Sequence, residues 1–489
     1  MRYNLKNIDC RSFERTLLMP LSLRQISQDD KLVQQTLLYV FDHLYPVSLI
    51  SQILEKTHAW EQRERETNMV QMCYLIMALH LFPRLNQRGV LREMASGVRG
   101  IWPGEDFQVP VTSAISTRRK QLPVLVMRRL FEEVCHPIAT QETKGAFALK
   151  LRLMAIDGTL DNVIETAANA AHFGRTSNEK QGSTPFPQVR CAYLSECATH
   201  SIVAARMGPC THSEEALAMG LASSITAGML VLVDRGLFSL WWAKQIQDRQ
   251  SHLLARLSST MLTHPSKILS DGSFLVQTRL PARGMQPGEV LTLRVIEYHI
   301  ADPVLGESNR IHRLVTTLLD PLQAPAEELI RLYHERWEIE LSLDEQKSHL
   351  RLASRPLRGQ TPELVYQELY GLLLTHFAIR SLMHEAAVQG ELDPDRLSFT
   401  HAVEVVSRAV RDFAQWSQAD HPVLRARLLE DLRDDLLPAH RRLRFQSRAV
   451  KRSTAKFDSK RHHFVCYTPD HIHSFEELIV PQRRLLLLN

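Results

Sequence analysis

LKLRLMAIDGTLDN, Leu149 to Asn162, decides the fold class. Its apolar residues run into Asp157-Gly158, the pattern of a buried strand that closes on a turn. Everything ahead of it reads differently. From about Ser27 to Thr140, stretches such as DDKLVQQTLLYVFDHL and NMVQMCYLIMALHLFPRL space their apolar residues three and four apart, which predicts helices. Behind it, QVRCAYLSE and HSIVAARMG alternate as two strands of a hairpin, and SEEALAMGLASSI reads as a helix. GMLVLVDRGLFSL then gives a second apolar strand ending in Asp234-Arg235-Gly236. Strand, hairpin, helix and buried strand together predict a mixed sheet covered by helices.

From Gln250 to Asp320 the segments SFLVQTRLPARG, EVLTLRVIEYHI and IHRLVTTLLD follow one another as strands, a β-rich insertion. Helix returns in PAEELIRLYHERWEIELSLDEQKSHLRL and TPELVYQELYGLLLTHFAIRSLMHEAAV. Placed on one helix at about 100° per residue, Leu332, Ile339, Leu343 and Leu350 form an apolar stripe. Tyr333, Arg336, Glu340 and Lys347 fall beside it, with Trp337 and Asp344 farther along the same flank. Glu335, Glu338 and Glu345 fall on the opposite flank, where water is expected. Glu340 is thus the acid at the edge of the buried face, between an arginine and a lysine.

The 489 residues exceed one compact core, and two to four domains are expected. The longest apolar runs are too short to span a bilayer, and the N-terminus has no apolar block of signal-peptide type. Seven cysteines, 10, 73, 135, 191, 197, 210 and 466, are scattered and never CxxC. They read as free thiols of a reducing, cytoplasmic compartment, and a disulfide framework or zinc ribbon is excluded. The net charge of +5 permits a nucleic-acid partner without demanding one. Cations concentrate in RRLRFQSRAVKRSTAKFDSKR (Arg441–Arg461) and in Arg118, Arg119 and Lys120, near the start of a helix that can lie against phosphates. RHHFVCYTPDHIH (Arg461–His473) has four histidines without zinc-finger spacing. His172 reads as part of a solvated loop.

Carboxylates at strand ends converge on the crevice of an α/β sheet. Asp157 and Asp234 are two such groups, and with Glu340 from the helix they make three carboxylates from separate segments, enough to hold two Mg²⁺ ions about 4 Å apart for attack on a phosphodiester. Arg336 and Lys347 would then steady phosphates.

These motifs, in this order, resemble the IS4-type DDE transposases. Tyr333, Arg336, Glu340 and Lys347 match the family motif Y-x2-R-x3-E-x6-K at every spacing, and AIDGT and LVDRGLFS match the segments carrying its two aspartates. Trp337, FPQVR, PELVYQELYGLLL, RFQSRAVKR and SAISTRRKQL extend the likeness over most of residues 25–455.

The resemblance implies an α/β multidomain protein: an RNase H-like catalytic core with a β-rich insertion, an all-helical N-terminal domain and a helical C-terminal region. The expected boundaries are 1–145 for the N-terminal DNA-binding domain, 146–248 and 323–390 for the core, 249–322 for the insertion, and 391–489 for the C-terminal region with its basic tail. It further implies that Asp157, Asp234 and Glu340 bind two Mg²⁺ ions, with Mn²⁺ able to substitute. Tyr333, Arg336, Trp337 and Lys347 would meet DNA, Trp337 as a stacking platform for an extruded base. Gln188 and Arg190, on a strand expected beside Asp157, join Arg118, Arg119 and Lys120 as further DNA contacts.

The expected activity is cut-and-paste transposition: cleavage at inverted-repeat ends and strand transfer into target DNA, by a homodimer in the bacterial cytoplasm, nucleoid-associated when on DNA. Two other readings compete. A catalytically silent DNA-binding regulator would keep the fold without cutting. A two-carboxylate hydrolase of the glycosidase type would use Asp157 and Asp234 and leave Arg336 and Lys347 without a role.

Overall fold

The computed structural model describes residues 38–60, 68–101, 109–178, 182–258, 261–281, 288–302, 306–307, 311–352, 355–438, 444–445, 473–474 and 478–481. Nearly all of the basic run 441–461 and nearly all of the histidine-rich segment fall outside them.

Five helices precede the sheet: α1 (Val47–Lys56), α2 (Met69–Leu81), α3 (Gln87–Ile101), α4 (Thr112–Gln121) and α5 (Val124–Val134). Pro123 divides α4 from α5, so Arg118, Arg119 and Lys120, expected near the start of a helix, stand in the last turn of α4; proline lacks the N–H that would continue the ladder. Helix α2 is buried at every position and starts at a capping box between Asn68 and Gln71. A helix apolar all round must be a core helix.

The sheet follows. β1 (Leu151–Asn162) pairs antiparallel with β2 (Gln188–Glu196), which pairs antiparallel with β3 (Ile202–Pro209). Between β1 and β2 lies the short helix α6 (Ala167–Phe173), and after β3 comes α7 (Glu214–Met219). β4 (Met229–Val233) lies parallel to β1, and beyond helix α8 (Leu240–Gln247), β5 (His252–Arg256) lies parallel to β4. The order β3-β2-β1-β4-β5, antiparallel on one side and parallel on the other, is that of an RNase H-like core. β4 reads MLVLV and is buried throughout, as a central strand covered on both faces must be.

β5 lies within the range the sequence reading gave to the insertion, yet it is the outer strand of this core. The true additions, β6 (Phe274–Arg279), β7 (Val290–Asp302) and β8 (His312–Thr316), are no separate body either. β8 pairs with β5, β7 with β8 and β6 with β7, so one sheet of 12 strands runs through both parts. A C-terminal strand, β9 (Ile479–Pro481), pairs with β7.

β1 also differs from expectation. It does not stop at Asp157-Gly158 but continues to Asn162, each residue from Met154 to Asn162 paired with β2. Asp157 is therefore a mid-strand residue opposite β2, although its other neighbour β4 ends beside it.

The chain then forms α9 (Ala326–His334), α10 (Trp337–Asp344) and a π-helical turn at Glu345–His349, followed by α11 (Pro362–Gln389), α12 (Phe399–Gln415) and α13 (His421–Asp431). α11 is capped by Thr361, whose hydroxyl accepts from Leu364 N. It packs directly on α2: a Cβ at Gly371 would lie 2.6 Å from Ile76 Cγ2 and 2.9 Å from the Ile76 carbonyl, so only glycine fits this crossing. Residues of α1, α2, α3, α5, α11, α12 and α13 share one apolar core. The N-terminal and C-terminal helices, far apart in sequence, thus form one helical mass, with the sheet against it.

Candidate active site

Ile156 of β1 sits opposite Val233 of β4. The next residue on each strand, Asp157 and Asp234, therefore emerges at the same edge of the paired region. Each carboxylate accepts from the following amide, Asp157 Oδ1 from Gly158 N at 2.8 Å and Asp234 Oδ1 from Arg235 N at 2.6 Å. The Tyr333 hydroxyl donates to the Val233 carbonyl at 3.3 Å, which fixes the end of α9 beside Asp234. Burial, first of all, pushes the Tyr333 phenol above its ordinary range.

The chain turns at Glu335–Arg336 and enters α10. Arg336, its side chain 6% exposed, lies 3.7 Å from Asp157 Oδ2 and donates to Glu340 Oε1 at 2.7 Å. One guanidinium gathers the strand carboxylate and the helix carboxylate, and it also stands over the Trp337 ring at 5.4 Å. Lys347, in the π-helical turn, donates to the Thr159 hydroxyl, two residues along β1 from Asp157. Tyr333 thus reaches the end of β4, Arg336 and Lys347 reach β1, and Glu340 joins through Arg336, although the single helix expected over 325–352 is broken at Glu335–Arg336 and ends in the π-helical turn.

The Asp157 carboxyl is raised to about 6, first by burial, with Glu340 and Glu214 adding to it and the Gly158 amide and Arg336 opposing. Glu214, at the start of α7, was missed in the sequence. A Cβ on Gly158 would lie 2.3 Å from its Oε1, so Gly158 leaves room for this fourth carboxylate. Arg190 reaches its other oxygen at 3.5 Å. Arg336 faces Asp157 and Glu340, Arg190 faces Glu214, and Asp234 stands at the end of the neighbouring strand. An all-oxygen, net negative donor set of this kind fits a hard divalent cation and gives a soft metal nothing to prefer.

Several expected DNA contacts are engaged within the protein. Arg119 is buried, donating to the Leu364 carbonyl at 3.2 Å and to Gln367, so it ties α4 to α11 instead of facing outward. Arg118 is bonded to Gln121 at 2.9 Å, and Lys120 is exposed. Gln188 joins Asn162 and Thr176 across the β1–β2 edge. Arg190 is held by Glu214 and the Cys210 carbonyl. His172, expected in a solvated loop, instead lies in α6 and bonds Tyr366 at 3.0 Å.

The acids expected to be solvated are the largest departure. Glu335 and Glu345 are buried, and Glu338 is nearly so. His200, in the turn between β2 and β3 and fully buried, puts Nε2 2.7 Å from Glu338, Nδ1 3.0 Å from Glu345 and Nε2 3.2 Å from Asp395. Glu345 also accepts from His376 and from Arg380 Nε, each at 2.9 Å, both on α11. The reason is geometric. Ile339 packs into the core under the sheet, whereas Leu343 and Leu350 join the helical core. The catalytic helix is thus sandwiched, and its second flank meets α11 where a two-sided helical wheel expected water. His200, Glu338 and Asp395 bring ligand-type atoms within 4.8 Å of one another, but both ring nitrogens of His200 already face carboxylates, the geometry of an ion-pair clamp.

Two family models match the chain: the N-terminal domain of insertion element 4 transposases over residues 35–132, and the transposase DDE domain over residues 149–377. The second range holds Asp157, Asp234 and Glu340 together. The chain belongs to the IS4 family of DDE transposases. Among its relatives is the transposase InsG for insertion sequence element IS4 of Escherichia coli strain K12, 28% identical over 376 residues, 75% of this chain and 81% of the relative. A cryo-EM structure of a piggyBac transposase synaptic complex with hairpin DNA is a looser match, with TM-score 0.42 and 12% identity over 82% of this chain and 85% of that one. The IS4 transposase described here is an enzyme of DNA cleavage and strand transfer, and its family works with divalent metal ions. DNA is its partner. Among the described residues no helix is long and apolar enough to cross a membrane.

Proposed function

We propose that Asp157, Asp234 and Glu340 are the metal ligands of a cut-and-paste transposase acting on the terminal inverted repeats of its own element. One observation carries this reading: Asp157 within β1 and Asp234 just past the end of β4 follow the paired residues Ile156 and Val233 of adjacent parallel strands, with Arg336 spanning Asp157 and Glu340. Two Mg²⁺ ions, or Mn²⁺ in their place, would supply an activated water or 3′-hydroxyl and would stabilise the leaving oxygen.

The chain's own residues do the rest. Arg336 and Lys347, both donors at the rim, hold phosphate oxygens on either side of the scissile bond; the planar fork of Arg336 suits a phosphate as well as it suits a carboxylate. Tyr333 pins α9 to β4 and so fixes Asp234 relative to Glu340. Trp337 offers its ring to an extruded base. Helices α1–α5, within residues 1–145, serve as the DNA-binding domain, with Arg118 and Lys120 on α4 as its contacts. The core takes 146–248 and 323–390 together with β5, and the remainder of 249–322 is the insertion. Residues 391–489 form the C-terminal region. The active form is a homodimer that brings two element ends together, in the cytoplasm and on the nucleoid when DNA-bound.

The test uses purified protein and linear DNA carrying the repeats that flank its gene, with Mg²⁺ or EDTA, beside Glu340→Gln. Mg²⁺-dependent cleavage at the repeat ends, lost in the variant while binding persists, is the expected result. Binding without cleavage by the unaltered protein would sink the assignment.

A further inference from the structure

Beyond the catalytic carboxylates, β1 carries Thr159 and Asp161 on the same face as Asp157, since alternate residues of a strand share a face at steps of about 6.6 Å. Lys347 donates to Thr159, and Arg351 donates to Asp161 at 2.8 Å. Past the end of β1 the register continues. Leu357 pairs with Val163 as a parallel bridge, with Leu357 N on the Asn162 carbonyl at 2.8 Å and Ile164 N on the Leu357 carbonyl at 3.0 Å. Residues 347–352 and 355–358 therefore contact β1 and its continuation, progressively farther from the active site. From Asp157 to Ile164 this covers about 23 Å at a strand's rise, the axial length of roughly seven nucleotides of B-form DNA.

A cleft opens beside its far end, lined by Arg119, Arg351, Arg355 and Arg358, with Glu368 its acid. Arg351 is neutralised by Asp161, but Arg119 and Arg358 donate to neutral carbonyls, those of Leu364, and of Leu85 and Pro83. Their charges are not cancelled by those bonds. Arg355 is exposed and makes no side-chain hydrogen bond or ion pair among the described residues. His80, which also lines the cleft, is pushed down to about 3, first by burial and next by Arg351, with Arg358 adding. The cleft also touches Gln87 at the start of α3, which bonds Ser116 of α4 at 3.5 Å, so it leads to the helix that carries Arg118 and Lys120.

We propose that Lys347, Arg355 and Arg358 form a phosphate track that conducts a DNA strand from the catalytic carboxylates to α4, with Arg351 tied to Asp161 between them. The occupant is DNA because the track is continuous with the carboxylates read above as the site of strand cleavage, and in this the inference rests on that reading. Arg351, bound to Asp161, holds the segment against β1, and Arg355 and Arg358 make the outer contacts.

The experiment measures duplex binding by the full chain across a salt series. Each phosphate contact contributes about 0.9 to the slope of log K against log salt. Arg355→Ala should lower the magnitude of that slope by about 0.9, and Arg355→Ala with Arg358→Gln by about 1.8; glutamine keeps a donor for the Pro83 and Leu85 carbonyls. Arg427→Ala, an exposed cation on α13, should leave the slope alone. Slopes unchanged in the single and double variants would overturn the track, as would an equal loss in Arg427→Ala, which would mean diffuse attraction. The slope reports phosphate contacts whether or not the protein cuts, so the track can fail while the metal assignment stands, and the reverse.

Discussion

The two flanks of the catalytic helix carry the same residue types and do opposite things. On one, Glu340 meets Arg336 beside Asp157, with its side chain 38% exposed. On the other, Glu338 and Glu345 meet His200, His376 and Arg380 in the interior. Acid beside base is common to both. The difference lies in what each leaves over. The buried flank consumes its charges in mutual bonds, whereas the open flank keeps more carboxylate than cation, so it has something left for a metal and a phosphate.

The comparison can be broken where it is strongest. Glu345→Gln and His200→Gln each remove one partner of a buried charge network, which costs about 3–5 kcal/mol. Urea unfolding should show this loss for both; a change under about 1 kcal/mol would mean that the clamp is ornamental. Next in size, Glu340→Gln should lower cleavage by about 10²–10³-fold or more, the scale of losing one preorganised electrostatic group, while the urea midpoint moves little, because exposed positions tolerate change. A Glu340 variant that unfolds would erase the distinction between the flanks.

Acidity sharpens it further. Burial and Arg380 push the His200 imidazole down, but Glu345, Asp395 and Glu338 outweigh them and raise it to about 10. A raised cation stabilises the fold fully below its unfolded value near 6.5, and this contribution is lost as pH climbs through about 10. The stability gap between the unaltered protein and His200→Gln should therefore be widest below pH 6.5 and should narrow toward pH 10. A constant gap would mean that His200 stays neutral, with Glu338, Glu345, Asp395, His376 and Arg380 balancing one another without it.

The smallest effect is expected at Gly158→Ala. The new methyl meets the flexible end of Glu214, not backbone, so stability should change by less than about 1 kcal/mol. Cleavage that depends on Glu214 staying beside Asp157 would nonetheless fall, and a joint Gly158→Ala, Glu214→Gln variant would show whether the two effects share one cause.

Apolar runs and Gly-bounded acids made the strands, the helices and the open flank legible in the sequence, because local periodicity reports which side of an element is buried. The grouping of Asp157 with Arg336 and Glu340, and of Lys347 with the same strand, was legible that way, with a motif to order them. What escaped depended on partners remote in the chain. Glu345 looked solvated because its cations, His200 and Arg380, lie 145 and 35 positions away. The strand through Asp157 looked finished at Gly158, because Thr159 and Asp161 are satisfied by Lys347 and Arg351, 188 and 190 positions on. Arg119 looked like a DNA contact because nothing local announces that α11 will cover it.

The crossing of α2 and α11 has a consequence for how the molecule comes into being. Thr375 on α11 donates to the Met77 carbonyl on α2, 298 positions earlier, at 2.9 Å. At about 5–20 residues per second of synthesis, the N-terminal helices wait roughly 15–60 s on the ribosome for the partner that covers them. A nascent chain halted before Pro362 would leave α2 with its apolar surface bare, a target for chaperones and proteases. Release of chains truncated before Pro362 should therefore leave a species that is cut by protease faster than the full chain, which limited proteolysis of the two would check.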